Sequence, residues 1–380
     1  MNLIIGGDLV PTQSNIDFFS NADITALLCE ELLLLWNSAD MHIFNLEVPL
    51  CDKQEPIQKC GPNLIAPIST VNGIKALNPT LLTLANNHIL DQGEQGLKST
   101  EDILNKNEIP FIGVGDNLSE ASKPYILEQD EVKIGVYACA EHEFTIATEN
   151  TLGANPFCPL ESFDHIQSLK EKCDYVIVLY HGGKEHYRYP SPYLQKVCRK
   201  MVQKGADLVI CQHSHCIGCY EEYKDSTIIF GQGNFLFDHS DSEFGKTGLL
   251  IKVSISDKVQ IDYIPIVKAG NGVCLADGQA TGDVLVSFRK RSDEILKEGF
   301  IEQQYRQFAQ KNRDSYLRRF SGFGKWLSRI DRRLLNGMLV RKKYNKKQLL
   351  AIQNYIECEA HRELIIAGLK SEKNQLENEQ

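Results

Sequence analysis

The chain has 380 residues, 42% of them hydrophobic and 24% charged. This composition excludes a collagen-like repeat, a disordered chain and a small disulfide-stapled scaffold, and the length allows a large core or two domains. The net charge of −9 is uneven: residues 289–347 hold 18 Lys/Arg against 6 Asp/Glu, or +12, which leaves −21 for the rest.

Short apolar runs alternate with amphipathic stretches over roughly the first 265 residues. Residues 3–6, 41–47, 81–85, 111–115, 133–140, 175–182, 207–213 and 227–235 read as strands. Several are continuously apolar, as strands covered on both faces are. Residues 22–37, 93–107, 161–172 and 191–204 read as helices between them. Residues 248–256 and 259–267 alternate polar with apolar around Asp257-Lys258, which predicts a hairpin. The alternation of strand and helix predicts a layered α/β fold. From residue 284 the strand pattern stops. The rest reads as helices broken at Gly322-Phe323-Gly324 and Asn336-Gly337, with the last ten polar residues fraying. The expected organisation is one α/β domain over 1–275 and a basic helical region over 284–380.

No apolar run approaches the ~20 residues of a bilayer span; the strongest, 27–36, contains Glu30 and Glu31. The amino terminus lacks a charged signal-peptide start. The twelve cysteines are scattered, mostly within apolar runs. These features predict a soluble protein of a reducing compartment with free thiols, cytoplasmic or peripheral at the inner face of the membrane. Cys216-Ile-Gly-Cys219 is a lone pair, whereas a structural zinc site wants a second. No dinucleotide fingerprint, P-loop or nucleophile elbow occurs.

Chemistry-bearing residues gather at the carboxyl ends of the apolar runs, where open α/β sheets place ligands. Asp8 follows the first run, and Asn45 and Glu47 close the second. Asn86, Asn87, His88 and Asp91 follow the third. His181 ends 175–182 and Glu185 comes after it. His213 ends 207–213 and His215 follows two residues on, and Asn234 and Asp238 follow the glycines after residue 230. Carboxylates, imidazoles and an amide oxygen suit a first-row divalent metal such as Mn²⁺, Fe²⁺ or Zn²⁺. A carboxylate shared between two ions would build a two-metal site that activates water and clamps a phosphoryl group.

Five pieces in order carry a resemblance: GGD at 6–8, NLE at 45–47, ANNHILDQGEQGL at 85–97, the block at 180–215 and IIFGQGNFLFD at 228–238. Together they resemble the bacterial CapA, or poly-γ-glutamate capsule synthesis, family of the calcineurin-like metallophosphoesterase fold group. The resemblance implies a four-layer α/β/β/α sandwich with the C-terminal helices as an appendage. It implies metal ligands at Asp8, Glu47, Asn87, His181, His213 and His215, binding two ions, or one. The catalytic residues would be Asp8 and His88, with His88 the acid that protonates a leaving oxygen. Asn45, Asn86, Asp91, Glu185 and Asn234 would support the ligands or orient substrate. Two departures stand out: Val10 occupies the position where the wider group has a histidine, and Glu47 replaces the usual bridging Asp.

The implied activity is metal-dependent hydrolysis of an anionic phosphate mono- or diester in capsule or surface-polymer biosynthesis. The alternatives are a non-catalytic accessory of polymer synthesis or transport, and a metal-dependent amide or peptide hydrolase acting on a γ-glutamyl polymer. In the basic region Leu327, Ile330, Leu334 and Met338 recur at helical spacing behind Phe323 and Trp326, among Arg329, Arg332, Arg333, Arg341, Lys342 and Lys343. Such a stripe packs on the α/β body or lies at an anionic membrane surface. The acidic body and the lack of a reading motif argue against nucleic acid.

Overall fold

The computed structural model of the chain describes residues 1–129, 131–237, 242–255 and 259–378, with residues 372–378 described by backbone alone. Asp238 and the Asp257-Lys258 turn lie outside the described residues. In chain order the strands begin with β1 (Asn2–Val10), β2 (Met41–Leu46), β3 (Leu81–Thr83), β4 (Phe111–Ile112) and β5 (Val114–Gly115). Next come β6 (Tyr125–Gln129), β7 (Val132–Ala140), β8 (Gly153–Ala154), β9 (Tyr175–His181) and β10 (Leu208–Gln212). The last are β11 (Ile217–Tyr223), β12 (Ser226–Gln232), β13 (Asn234–Phe237), β14 (Thr247–Ile255), β15 (Val259–Ala269) and β16 (Gly272–Leu275).

The first sheet runs β16-β15-β14-β1-β2-β3-β4, with β13 beside β1; the second runs β11-β12-β10-β9-β7-β6, and β5 pairs with β8 in a small third. Successive strand residues face opposite ways. Leu3, Ile5 and Ile43 of the first sheet therefore meet Ile134, Ile177 and Ile210 of the second in one apolar layer. Ile4, Phe44 and Leu82 face outward onto Trp36, Ile74, Leu97 and Leu104 from helices. The outer face of the second sheet, with Val176, Val178 and Val209, packs on Ile166, Val197 and Met201. The result is the four-layer α/β/β/α sandwich. The helix Pro192–Gln203 shows how locally the pattern is written. Ser191 caps it by accepting from the Leu194 N–H at 3.0 Å, Pro192 stands at its start, and Leu194, Val197, Cys198 and Met201 bury one face.

Three expected elements differ. The run 111–115 divides at Gly113, where φ is +89° and a Cβ would stand 2.6 Å from that of Ala85, so no side chain is admitted. The run 227–235 divides at Gly233, φ +74°, and the chain crosses there from the second sheet (β12) to the first (β13). The helix 22–37 divides at Leu28, which is extended and bridges Val273. Strands β6, β8, β11 and β16 were not anticipated; β6 and β11 carry polar residues at a sheet edge, and β8 and β16 are only two and four residues long. The helix Glu359–Asn378 continues into the stretch expected to fray.

Cys29 and Cys274 are joined as a disulfide, with Cα atoms 4.9 Å apart across 245 residues. This corrects the expectation of twelve free thiols. Pairing of Leu28 with Val273 brings the two cysteines together, which spacing in the sequence cannot reveal. The chain divides into two compact units, Met1–Glu302 and Gln303–Gln380.

Gly7 governs the approach of β1 to β13. A Cβ there would stand 2.1 Å from the Gly233 carbonyl oxygen. We expect Gly7→Ala to cost about 1–3 kcal/mol or more by forcing the backbones apart. A urea midpoint equal to that of wild type would show the approach to be relaxed.

Candidate metal centre

The parallel strands bring their carboxyl ends to one edge of the sandwich. Asp8 stands opposite Asn45 on β2 and opposite Asn234 on β13. Asn45 stands opposite Thr83, two residues before Ala85 and the Asn86-Asn87-His88 loop. In the second sheet His181 stands opposite Gln212, the residue before His213. Asn45 fastens the two sheets: its Nδ2 donates to Asp8 Oδ1 at 2.8 Å and to His181 Nδ1 at 3.3 Å. Its oxygen accepts from Asn86 at 3.1 Å, and Asn86 also donates to the Leu46 carbonyl. The backbone is held in the left-handed region at His213 (φ +74°) and His215 (φ +51°). Non-glycine residues adopt that conformation where surrounding structure imposes it, often at functional sites.

Glu47 lies at the centre. Ligand atoms of Asp8, Glu47 and His181 fall within 4.8 Å of one another, and so do those of Glu47, His213 and His215. Asn87 Oδ1 is 3.0 Å from His181 Nε2, and His213 Nδ1 is 3.1 Å from the same nitrogen. His215 Nδ1 sits 2.8 Å from Asn234 Oδ1. All these side chains are buried. Neither Glu47 oxygen makes a hydrogen bond, although His181 Nε2 approaches Oε1 to 3.2 Å, which is ion-pair distance. A buried carboxylate with both oxygens unbonded is costly unless a cation satisfies it. The set therefore fits divalent metal, with Glu47 common to two three-residue groups.

The electrostatics agree. Burial raises Asp8 above the ordinary carboxyl range, and Glu47 pushes it further. Burial opposes ionisation of Glu47, but His215 and His181 outweigh it and hold that carboxyl far below its usual range. Burial also opposes charging of His181 and His215, yet Glu47 and Asp8 raise both. Burial, then His181 and His215, drive His213 well below its ordinary value. A ligating imidazole is neutral, so metal binding at His181 and His215 competes with protons.

Residues 2–239 match the family described as bacterial capsule synthesis protein PGA_cap. The chain belongs to this family. Over 233 residues it is 28% identical to the capsule biosynthesis protein CapA of Bacillus anthracis, covering 58% of this chain and 56% of that one. Over 176 residues it is 32% identical to the PGA biosynthesis protein CapA of Bacillus subtilis strain 168, covering 44% and 45%. The matched stretch thus spans about half the length of these relatives. Among solved structures, a putative 5'-nucleotidase from Staphylococcus aureus covers 76% of this chain and 58% of its own, at 14% identity and a TM-score of 0.41.

In this PGA_cap chain the motif residues do not all reach the centre. His88 adjoins it, one residue after Asn87, whose Oδ1 is 3.0 Å from His181 Nε2. Its Nδ1 lies 2.5 Å from Asp91 Oδ2, which also accepts from the Leu64 N–H at 2.6 Å. Glu185 is exposed in the loop after β9. Val10 is buried in the apolar cluster under the first sheet, so its position offers carbon, not nitrogen.

Three residues at the site were not anticipated. Lys59, from the long loop after β2, buries its ammonium against Asp91, with His88 Nδ1 at 3.2 Å and the Asn87 carbonyl at 3.3 Å. Glu143 accepts from Asn87 Nδ2 at 3.2 Å, and Glu141 accepts from the Gly183 N–H at 2.9 Å. Glu141 and Glu143 follow β7 directly, so the rule that gathered the other residues at strand ends could have found them. Lys59 has no such signal. Among the described residues, no helix is long and apolar enough to cross a membrane.

Proposed function

We propose that this chain is a metal-dependent hydrolase of a phosphate mono- or diester that serves capsule or surface-polymer synthesis. The observation that carries the reading is Glu47, a buried carboxylate with both oxygens unbonded and shared by two ligand groups. Asp8, Glu47, Asn87, His181, His213 and His215 would hold one or two ions of the Mn²⁺, Fe²⁺ or Zn²⁺ kind. Such ions, when bound, supply Lewis acidity and lower the pKa of water. The chain's own residues do the rest. Asn45 locks Asp8 and His181 in register. Asp91 holds the Nδ1 side of His88, which leaves Nε2 to carry the proton for a departing oxygen. Lys59 pairs with Asp91 and holds that carboxylate in place as an acceptor.

A second reading, a non-catalytic accessory of polymer synthesis, draws on Val10, which leaves the Asp8 side one imidazole short of the wider group. One experiment separates the two. Protein purified without chelator or a His tag is analysed for metal. It is then assayed on p-nitrophenyl phosphate, bis(p-nitrophenyl) phosphate and γ-glutamyl-p-nitroanilide. The hydrolase reading expects about one to two equivalents of metal and turnover of a phosphate ester abolished by His213→Ala. Turnover of the anilide alone would move the electrophile from phosphorus to carbon. Absence of metal after back-addition would leave only the accessory role.

A further inference from the structure

The chemistry above uses the first unit alone. In the second unit the helix Lys325–Arg333 is turned inside out. Its buried residue is Asp331, whose carboxylate accepts from Arg318 Nε at 3.0 Å and from the Leu339 N–H at 2.8 Å. This anchor faces the helix's apolar residues outward. Trp326 and Leu334 are each 78% exposed, and Leu327 and Ile330 are exposed as well. At 100° per residue these four side chains fall within an arc of about 100°. Arg333, Arg329 and Lys325, all exposed, border that arc on one side. Phe320 and Met338, just beyond the helix ends, are also exposed.

Charge decides among the possible occupants of this face. It lies within residues 289–347, which carry +12 in a chain whose net charge is −9. A second copy of the same face would set arginine against arginine. Nucleic acid would satisfy the arginines but leave Trp326, Leu327, Ile330 and Leu334 in water. An anionic lipid surface satisfies both halves, because its headgroups take the basic border and its acyl region takes the apolar arc. We propose that the Lys325–Arg333 helix lies flat on an anionic bilayer surface, with Trp326 and Leu334 inserted and the basic residues at the headgroups. The proposal is independent of the hydrolase reading.

The test uses the full chain and its two tryptophans. Trp36 is 1% exposed in the core, so an emission change on adding vesicles reports Trp326. With phosphatidylglycerol–phosphatidylcholine vesicles at low salt, the chain is expected to cosediment and its emission to shift blue. With phosphatidylcholine alone neither is expected. Raising the salt toward 1 M should release the chain. Trp326→Ala with Leu334→Ala should weaken partitioning by roughly tenfold or more, since both buried apolar side chains are lost. Both side chains are exposed, so an unchanged circular dichroism spectrum is expected to show the fold intact. The proposal is overturned by absence of cosedimentation at low salt, or by binding that survives the double substitution. A blue shift that tracks protein concentration without lipid would assign the face to self-association, and one produced by RNA alone would assign it to nucleic acid; either outcome also rejects the proposal.

Discussion

Glu47→Gln is expected to strip the centre of metal altogether, while His213→Ala removes only part of it. The reason is connectivity. Glu47 is the single residue common to both ligand groups, whereas His213 belongs to one of them. The amide keeps the shape of the carboxylate but neither its charge nor its capacity to bridge two cations. It also removes the buried unbonded charge that makes cation binding favourable in the first place. The consequence extends to stability. A ligand that binds only the folded state stabilises it by about 2.7 kcal/mol at a hundred times its Kd. Wild-type protein should therefore melt higher with Mn²⁺ or Zn²⁺ than with chelator, and the difference should collapse in Glu47→Gln. Elemental analysis and paired melting curves check both parts. A Glu47→Gln protein with wild-type metal content would show that Glu47 is a satisfied core carboxylate and that the ligands lie elsewhere.

The reach of sequence reading follows from the geometry of parallel strands. Such strands share a carboxyl end, so polar residues closing separate apolar runs must converge. Asp8, Asn45, Glu47, His181 and His213 are close together for that reason. The same rule covers Glu141 and Glu143, which a flanking polar stretch disguised as loop. It fails where a residue arrives by tertiary folding. Lys59 sits in a stretch without periodicity, and only the path of that loop carries it to Asp91. It fails in the opposite sense at Glu185. Gly183, with φ +110°, turns the chain after β9 and leaves that carboxylate exposed. The crossing at Gly233 from one sheet to the other was equally invisible, because an apolar run does not say which sheet each half joins.

His88→Ala tests whether the neighbourhood of the centre is built for a departing oxygen. His88 stands one residue beyond Asn87, so its loss should leave the metal content unchanged. Its ring is fixed from behind: Asp91 Oδ2 lies at 2.5 Å from Nδ1, and Lys59 and the Leu64 N–H hold Asp91. A ring held through Nδ1 is arranged to pass a proton through its other nitrogen rather than to ligate. General acid catalysis of this kind contributes about 10²–10⁴-fold, but only where the leaving group needs a proton. Alkoxides do; p-nitrophenolate departs as its anion. The expected result is therefore a loss of about 10²–10⁴-fold on an alkyl phosphate ester and a much smaller loss on the p-nitrophenyl ester. A purely structural role for His88 would depress both substrates alike, and a ligand role would lower the metal content. Equal losses on the two esters with metal retained would remove His88 from proton transfer and leave the Asp91–Lys59 pair as a structural clamp on the loop after β3.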